Sequence, residues 1–352
     1  MLDRRYFLTL GLGAAVAAAA SESGWRDVLD VPAQSSPLAA RGLFNGLAKA
    51  GSRVVAVGQR GHILWSDDQG QNWQQAKVPV SSDLVSVHFP DQRHGWAVGH
   101  DAVVLHTQDG GENWSVQLDG RKLGVHLSDA YAAGTPGLTE DETQHWRAEA
   151  ARFVEQGAEN PFLDVWFDSP THGLAVGAFG LALRTTDGGL RWKPVMHLMA
   201  NPKALHLYAV RRVAGSLYVV GEQGLALRHD ASSDQFKTLS LPYGGTLFGV
   251  AGNERVLIVH GLRGNALSSQ DQGKSWAPME SGLKVGLTGS ASLDGGQLVV
   301  VSQAGHILVG DGVQAFKPLQ QDRPSPAAAV IVSAPGQLVL AGPRGLRTVE
   351  VR

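Results

Sequence analysis

Four stretches, SDDQGQNW (66–73), TQDGGENW (107–114), TTDGGLRW (185–192) and SQDQGKSW (269–276), share the spelling S/T-x-D-x-G-x-x-W. Four residue types at fixed offsets, written four times, are no accident of composition. Asp68, Asp109, Asp187 and Asp271 lie 41, 78 and 84 positions apart (68 to 109, 109 to 187, 187 to 271). That is one, two and two units of roughly 40 residues, a period that marks a repeat architecture.

Ahead of each box runs a second signature, an apolar stretch, then G-x-x-G, then another apolar stretch. Its anchors are Gly58, Gly99, Gly177, Gly221, Gly261, Ser302 and Gly342, spaced by 41, 78, 44, 40, 41 and 40 positions (58 to 99, 99 to 177, 177 to 221, 221 to 261, 261 to 302, 302 to 342). "AVGQRGHIL", "VVGEQGLAL" and "VHGLRGNAL" read as hairpins in which the glycine supplies a positive φ. Asp101 and Ala102 break the pattern in the second unit, so a different turn is expected there. A further strand precedes each hairpin and a fourth follows each box. Four antiparallel strands per unit, seven times over, predict an all-β, seven-bladed β-propeller across residues 21–352.

The box aromatic counts the units independently. Phe236 and Phe316 keep it where the Asp spelling is lost. The seventh hairpin reaches the C-terminus without a fourth strand, while Trp25, Arg26, Asp27 and Val28 copy the start of one. Residues 25–31 are therefore expected to complete the last blade and close the ring without an exposed edge.

With 43% hydrophobic residues the chain can bury a real core, and 44 glycines suit many tight turns. A formal net charge of -2 provides no footprint for nucleic acid. The absence of cysteine excludes disulfides, thiolate metal sites and a thiol nucleophile. Residues 1–20 carry Arg4 and Arg5, then an Ala-rich apolar run ending in Ala18, Ala19, Ala20 and Ser21, which reads as a twin-arginine-like export signal. That run is shorter than the roughly 18 apolar residues of a membrane span.

The chemistry of the box is local. Its Asp and Ser/Thr accept hydrogen bonds from turn amides, its Gly permits a left-handed residue, and its Trp fills the gap between blades. Asp68, Trp73, Asp109, Trp114, Asp187, Trp192, Asp271 and Trp276 are thus read as structural. These motifs resemble Asp-boxes, the bacterial neuraminidase repeats of sialidases, some glycosidases and several non-enzymatic propellers. That resemblance implies that the boxes lie away from the functional face.

The longer stretches "VHFPDQRHGWAVGHDAVVLHTQDGGENW" (87–114) and "VWFDSPTHGLAVGAFGLALRTTDGGLRW" (165–192) resemble the photosystem II assembly and stability factor family. Its repeats spell F-x-D-x-x-x-G-W-A-V-G-x-x-G-x-I-x-x-T-x-D-G-G-x-x-W. The resemblance covers about residues 25–352. It implies an exported, non-catalytic propeller, in the periplasm or a thylakoid-lumen-like compartment, that binds a membrane-associated protein complex during assembly. A monomer without cofactor or metal is expected.

Two features fall on the face opposite the boxes. Arg60, Arg263 and Arg344 hold the third position of three G-x-x-G turns, with Arg323 and Lys284 in neighbouring linkers; a guanidinium fork suits carboxylates or phosphates. The family carries an arginine-rich patch, and these three residues match it best. The second feature is an insertion at about 119–161, between blades two and three. There Thr139 and Glu142 spell a capping box, and Trp146, Ala150, Phe153 and Val154 form a helical stripe. One helix on the rim is expected, with Trp146, Phe153 and Glu149 as candidate partner contacts.

The rival reading is a carbohydrate-active Asp-box propeller, sialidase-like or another glycoside hydrolase. Arg60, Arg263 and Arg344 would clamp a carboxylate and Tyr208 or Tyr243 would attack, but no Arg-Ile-Pro tripeptide and no supporting spacing accompany them. His88, His94, His100 and His106 follow at intervals of six, which as strand positions do not converge on a metal.

Overall fold

The computed structural model of the protein describes residues 26–132 and 134–351. Among them the apolar runs pair into seven antiparallel sheets, each a meander in chain order. Sheet one comprises Phe44–Ala50, Arg53–Gly58, Ile63–Ser66 and Gln74–Gln75. The first strands of the next five sheets are Leu84–His88, Phe162–Phe167, Leu207–Val213, Leu247–Gly252 and Leu287–Ser292, each followed by three more. Sheet seven has three strands, Ala329–Ala334, Gln337–Gly342 and Gly345–Glu350. Each first strand packs on the next sheet's first strand, and that of sheet one lies against the first two strands of sheet seven. Seven such sheets, whose first strands line one channel of about 790 Å³, fit a seven-bladed propeller.

Burial explains the sequence pattern. Second strands are sandwiched between neighbouring sheets, so Gly95–Gly99, Leu257–Gly261 and Leu298–Ser302 are buried at every residue and read as unbroken apolar runs. The box aromatics fill the seams, including the degenerate Phe236 and Phe316, both buried. Trp73 packs with Ala341 and Leu346 of sheet seven, and a Cβ on Gly70 would stand 2.6 Å from Val339 Cγ2.

The box geometry is as its chemistry requires. Ser66 Oγ accepts from Gly70 N (2.8 Å) and donates to Asp68 Oδ1 (2.7 Å), which also accepts from Asn72 N (2.8 Å). These bonds hold the Asp68 carboxyl down at about 2. In the two degenerate units the carboxylate survives at a shifted position. Asp230 accepts from Ser232 N, and Asp311 from Val313 N and Gln314 N.

The second glycine of each G-x-x-G supplies the positive φ, as read from the sequence, whereas the anchor glycine does not. Gly58 is extended (φ -163), and glycine is needed because a Cβ there would collide with Leu43 O, just ahead of the adjacent first strand. The left-handed residues come later in the turn, at Arg60 (φ 56) and Gly61 (φ 69). Nor does the second unit use another turn. Asp101 (φ 56) and Ala102 (φ 47) adopt the same left-handed pair without glycine.

The N-terminal segment does not complete the last blade. Trp25 lies outside the described residues, but Val28–Asp30 is a 3-10 turn fixed by Asp27 Oδ1 accepting from Leu29 N (2.9 Å). Val28 O then accepts from Ser81 N (2.8 Å), and Ala33 N donates to Val78 O (3.0 Å), beside sheets one and two. Pro32 and Pro37 lack the donors a ladder needs.

The insertion folds as two helices rather than one, α1 (Gly120–Ala132) and α2 (Glu140–Gln156). The capping box forms as read, with Thr139 Oγ1 accepting from Glu142 N and Glu142 Oε2 from Thr139 N. The first helix escaped notice because its glycines disguise a helix-packing surface. A Cβ on Gly124 would stand 2.6 Å from Val154 Cα, so glycine lets the two axes approach.

Candidate partner-binding face

In a meander, the turns between second and third strands share one end of every sheet with the linkers between sheets. The other turns, including the boxes, share the opposite end. Arg60 illustrates the first group, since its backbone N–H donates to Asp83 Oδ1 (2.7 Å) in the linker between sheets one and two. Arg53 illustrates the second. It bridges Asp67 (2.7 Å) and Glu112 (3.1 Å) of successive boxes while stacking 3.9 Å from the Trp65 ring centroid.

At the linker end, each hairpin presents its third residue as an apex. Five apices are non-glycine residues in the left-handed region: Arg60, Asp101, Phe179, Gln223 and Arg263. Arg60, Arg263 and Arg344 are exposed, as are Arg323 and Lys284, and none forms an ion pair with a described residue. They stand over sheets five, six, seven and one. Arg344 and Arg60 flank a further exposed cation, Arg41, because the Ala39–Arg41 turn packs on the last strand of sheet seven.

Arg347 was not singled out from the sequence. Its half-buried guanidinium donates to Arg323 O (3.1 Å), Ser325 O (3.3 Å) and Gln321 Oε1 (3.0 Å) without meeting a carboxylate. Burial lowers its pKa, and its bonds fix the linker that carries Arg323. No sequence signal distinguishes it from other strand arginines.

The insertion contributes less to an open surface than expected. Phe153 is 1% exposed and belongs to the core under α1, so it is no contact residue. Trp146 is half-buried, stacked 5.8 Å from Tyr131, and Glu149 is held by Arg152 (2.8 Å). Amphipathic packing on the sheets explains the whole stripe except Val154, which is 48% exposed.

Inside the channel, six first strands carry a register shift at the same place. The residues that the shift re-aims are Asn45, Val85, Leu163, Tyr208, Phe248 and Thr288, and all six line the channel. Below them Asp164 accepts from Ser86 Oγ (2.6 Å) and Val210 N (2.7 Å) and pairs with Arg211. His88 lies 4.1 Å from Trp166 with the rings tilted by 36°, and burial drives its pKa down to about 3.

Of the two tyrosines considered for catalysis, Tyr243 donates to Leu262 O (3.1 Å), whereas Tyr208 faces the channel. The histidines at intervals of six do not converge. His94 bonds Asp91 (2.8 Å), His106 stacks 4.6 Å from Trp96, and no metal-holding cluster occurs among the described residues.

The repeat, the box geometry and the sheet count point to one group of proteins. The family model described as "Photosynthesis system II assembly factor YCF48" matches residues 65–146 and 139–309. The chain belongs to this family. Similar curated members include the photosystem II assembly protein Ycf48 of Synechococcus sp. (strain JA-2-3B'a(2-13)), 31% identical over 133 residues, covering 34% of this chain and 39% of that protein. The photosystem II stability/assembly factor HCF136 of Arabidopsis thaliana is 24% identical over 265 residues, 64% of each chain. A relative in Prochlorococcus marinus is described as the assembly lipoprotein Ycf48 (27% over 135 residues, 34% of this chain and 38% of that one). The match thus spans about two fifths of the length of the first of these relatives.

The fold is shared across a wider set. A structure described as "YCF48 bound to D1 peptide" superposes with a TM-score of 0.64 at 17% identity, over 89% of this chain and 94% of that one. The WD40 propeller domain of Doa1 superposes at 0.61 and 11% identity, over 91% and 95%. The Ycf48 relatives are assembly factors rather than enzymes, which counts against the carbohydrate-active alternative. No helix among the described residues is long and apolar enough to cross a membrane. The export-signal reading falls on residues 1–20, outside the described ones.

Proposed function

We propose that this Ycf48-family chain is a non-catalytic assembly factor that grips a membrane-associated protein complex in an exported compartment. The binding face is the linker end of a single, closed, seven-bladed ring over residues 21–352, acting as a monomer. The observation that carries the reading is the arc of cations at that end. Arg60, Arg263 and Arg344 are exposed and unpaired with any described residue. An unpaired guanidinium on a rigid turn is pre-organised for a carboxylate, and electrostatic complementarity of this kind sets partner choice and association rate.

Supporting the ring is the seam between sheets one and seven, filled by Trp73, Phe44, Ala341 and Leu346 rather than by an N-terminal strand. Supporting the compartment are the twin-arginine-like residues 1–20 and the lipoprotein description of one relative. The partner class rests on the relatives described as photosystem II assembly proteins and on the structure described with a D1 peptide.

The test is co-purification from detergent-solubilised membranes of the source organism, comparing wild type with the triple variant Arg60→Glu, Arg263→Glu, Arg344→Glu. Loss of the co-purifying complex with an unchanged melting temperature is expected. Full retention of the complex would move the binding face elsewhere.

A further inference from the structure

At the mouth of the channel four aromatic rings form a continuous ladder across sheets three, four and five. Phe179 meets His206 edge-on at 4.8 Å, His206 lies 6.3 Å from Tyr208, and Tyr208 meets Phe248 edge-on at 5.4 Å. The first rung is a turn apex, 42% exposed for a large apolar side chain held at φ 53. The last two are register-shifted residues turned onto the channel wall. Packing does not account for this line. Core aromatics of this chain, such as Trp96 and Phe167, are wholly buried, whereas every rung of the ladder keeps solvent access.

We propose that this ladder is a subsite for an aromatic side chain of an extended acidic peptide. The inference rests on the partner-binding face proposed above and adds to it the kind of segment bound. Two observations fix the occupant. Charge divides the face. The ladder half carries Glu222 tied to His206 (3.2 Å) and Arg152, itself paired with Glu149, over the Phe179 ring (5.4 Å), while Arg263 at its edge on sheet five, and Arg344 and Arg60 beyond it, stand unpaired. A ligand that reaches both halves is extended, with carboxylates over the arginines and an apolar group over the rings.

Hydrogen-bonding capacity is also left open where a peptide backbone would pass. The Tyr208 hydroxyl and the Gln303 side-chain amide both line the channel and have no hydrogen-bond partner among the described residues. Aromatic faces and edges in offset contact accept a further ring in the same geometry. Such rigid aromatic anchors typically dominate recognition.

The test is fluorescence anisotropy with two dye-labelled nonapeptides, GEDGFGEDG and the same peptide with serine in place of phenylalanine. Wild type is expected to bind the phenylalanine peptide about tenfold more tightly, the factor expected for one well-seated ring. Tyr208→Ser should cut that preference below about threefold, while the displaced hydroxyl weakens both peptides by the same factor. Phe179→Asn keeps a residue tolerant of left-handed φ on an exposed turn and provides a variant whose folding is not in question. It should reduce the preference as well.

Equal affinity for the two peptides, an unchanged ratio in both variants, or failure of either peptide to bind would overturn the subsite. The arginine triple variant separates the two readings, since it should weaken both peptides equally and leave their ratio alone. If co-purification is lost in that variant while the peptide ratio is one, the face stands and the ladder does not.

Discussion

Arg211, on the first strand of sheet four, pairs with Asp164 on the first strand of sheet three, and the same carboxylate accepts from Ser86 of sheet two. One side chain, 4% exposed, thereby ties three neighbouring sheets together around the channel. Asp164 sits on a strand where the other units place Gly46, Ser86, Ala209, Gly249 and Gly289, so it is a local brace and not part of the repeat.

Removing its counter-charge should be costly. Arg211→Met strands a buried carboxylate, and we expect a loss of about 3 kcal/mol, the low end for breaking a buried pair because Arg211 itself is partly exposed. Urea denaturation of the variant measures it. A double variant, Asp164→Asn with Arg211→Met, should recover part of the loss.

Acid should destabilise the fold in two separate windows. His260 is fully buried, with Nδ1 3.1 Å from Leu287 O and Nε2 2.9 Å from Ser290 Oγ, and burial lowers its pKa from 6.5 to about 4. The unfolded chain takes up a proton near 6.5 that the folded chain refuses until about 4. The stability contributed is therefore complete above 6.5 and declines as pH falls towards 4, with a slope of at most about 1.4 kcal/mol per pH unit for each such histidine. The box carboxylates Asp68 and Asp271, held near 2, act in the same direction over a lower window: their contribution persists until pH falls below about 4 and is lost as pH approaches 2. Melting curves from pH 8 to 3 should show a plateau, then a decline beginning near 6.5 that His260→Asn makes shallower.

Trp73 should matter more for stability than for binding. Trp73→Ala opens the seam between sheets one and seven at the end remote from the arginines, with an expected cost of about 3 kcal/mol. Peptide affinity at the opposite end should stay within about twofold, provided the measurement is made well below the lowered melting temperature.

Removal of residues 1–32 distinguishes the observed N-terminal path from a closing strand. Hydrogen exchange of the amides in 345–349 should be unaltered, since among the described residues the third strand of sheet seven pairs with no further strand. Amides near Val78 and Ser81 should lose protection, because Ser81 N donates to Val28 O. Faster exchange in sheet seven instead would restore the closing-strand idea.

Arg60→Gly and Arg263→Gly offer charge removal without strain. Both arginines hold left-handed φ, which costs an L-residue about 1–2 kcal/mol, so glycine should leave stability within about 1 kcal/mol. Gly58→Ala, by contrast, drives a Cβ into Leu43 O and should destabilise by about 2 kcal/mol or more. Thermal melts of the three variants check the contrast.

How legible all this was in the sequence depends on whether the information was periodic. Sheet count, hairpin positions, box geometry and the seam residues Phe236 and Phe316 followed from the repeat, because a blade is a local unit whose turns are fixed by residues within about ten positions. Gly58 was located by its spacing, but the reason that glycine stands there was not legible. Its constraint comes from Leu43 O, a backbone atom 15 positions earlier (43 to 58) that only the folded sheet brings to it. The insertion's first helix hid behind Gly120 and Gly124, which lower helix propensity while creating the close packing that sustains the helix.

By itself, then, the sequence determined the repeat, the register of each blade, the structural nature of the boxes and the end of the sheets where the arginines stand. Those properties are carried by short-range hydrogen bonds and by burial periodicity. The tertiary structure alone decided the path of residues 26–34, the burial of Phe153, the brace at Asp164 and the aromatic ladder from Phe179 to Phe248. Each of these depends on contacts between different sheets, and a sequence records no distance between residues that meet only once the blades have packed.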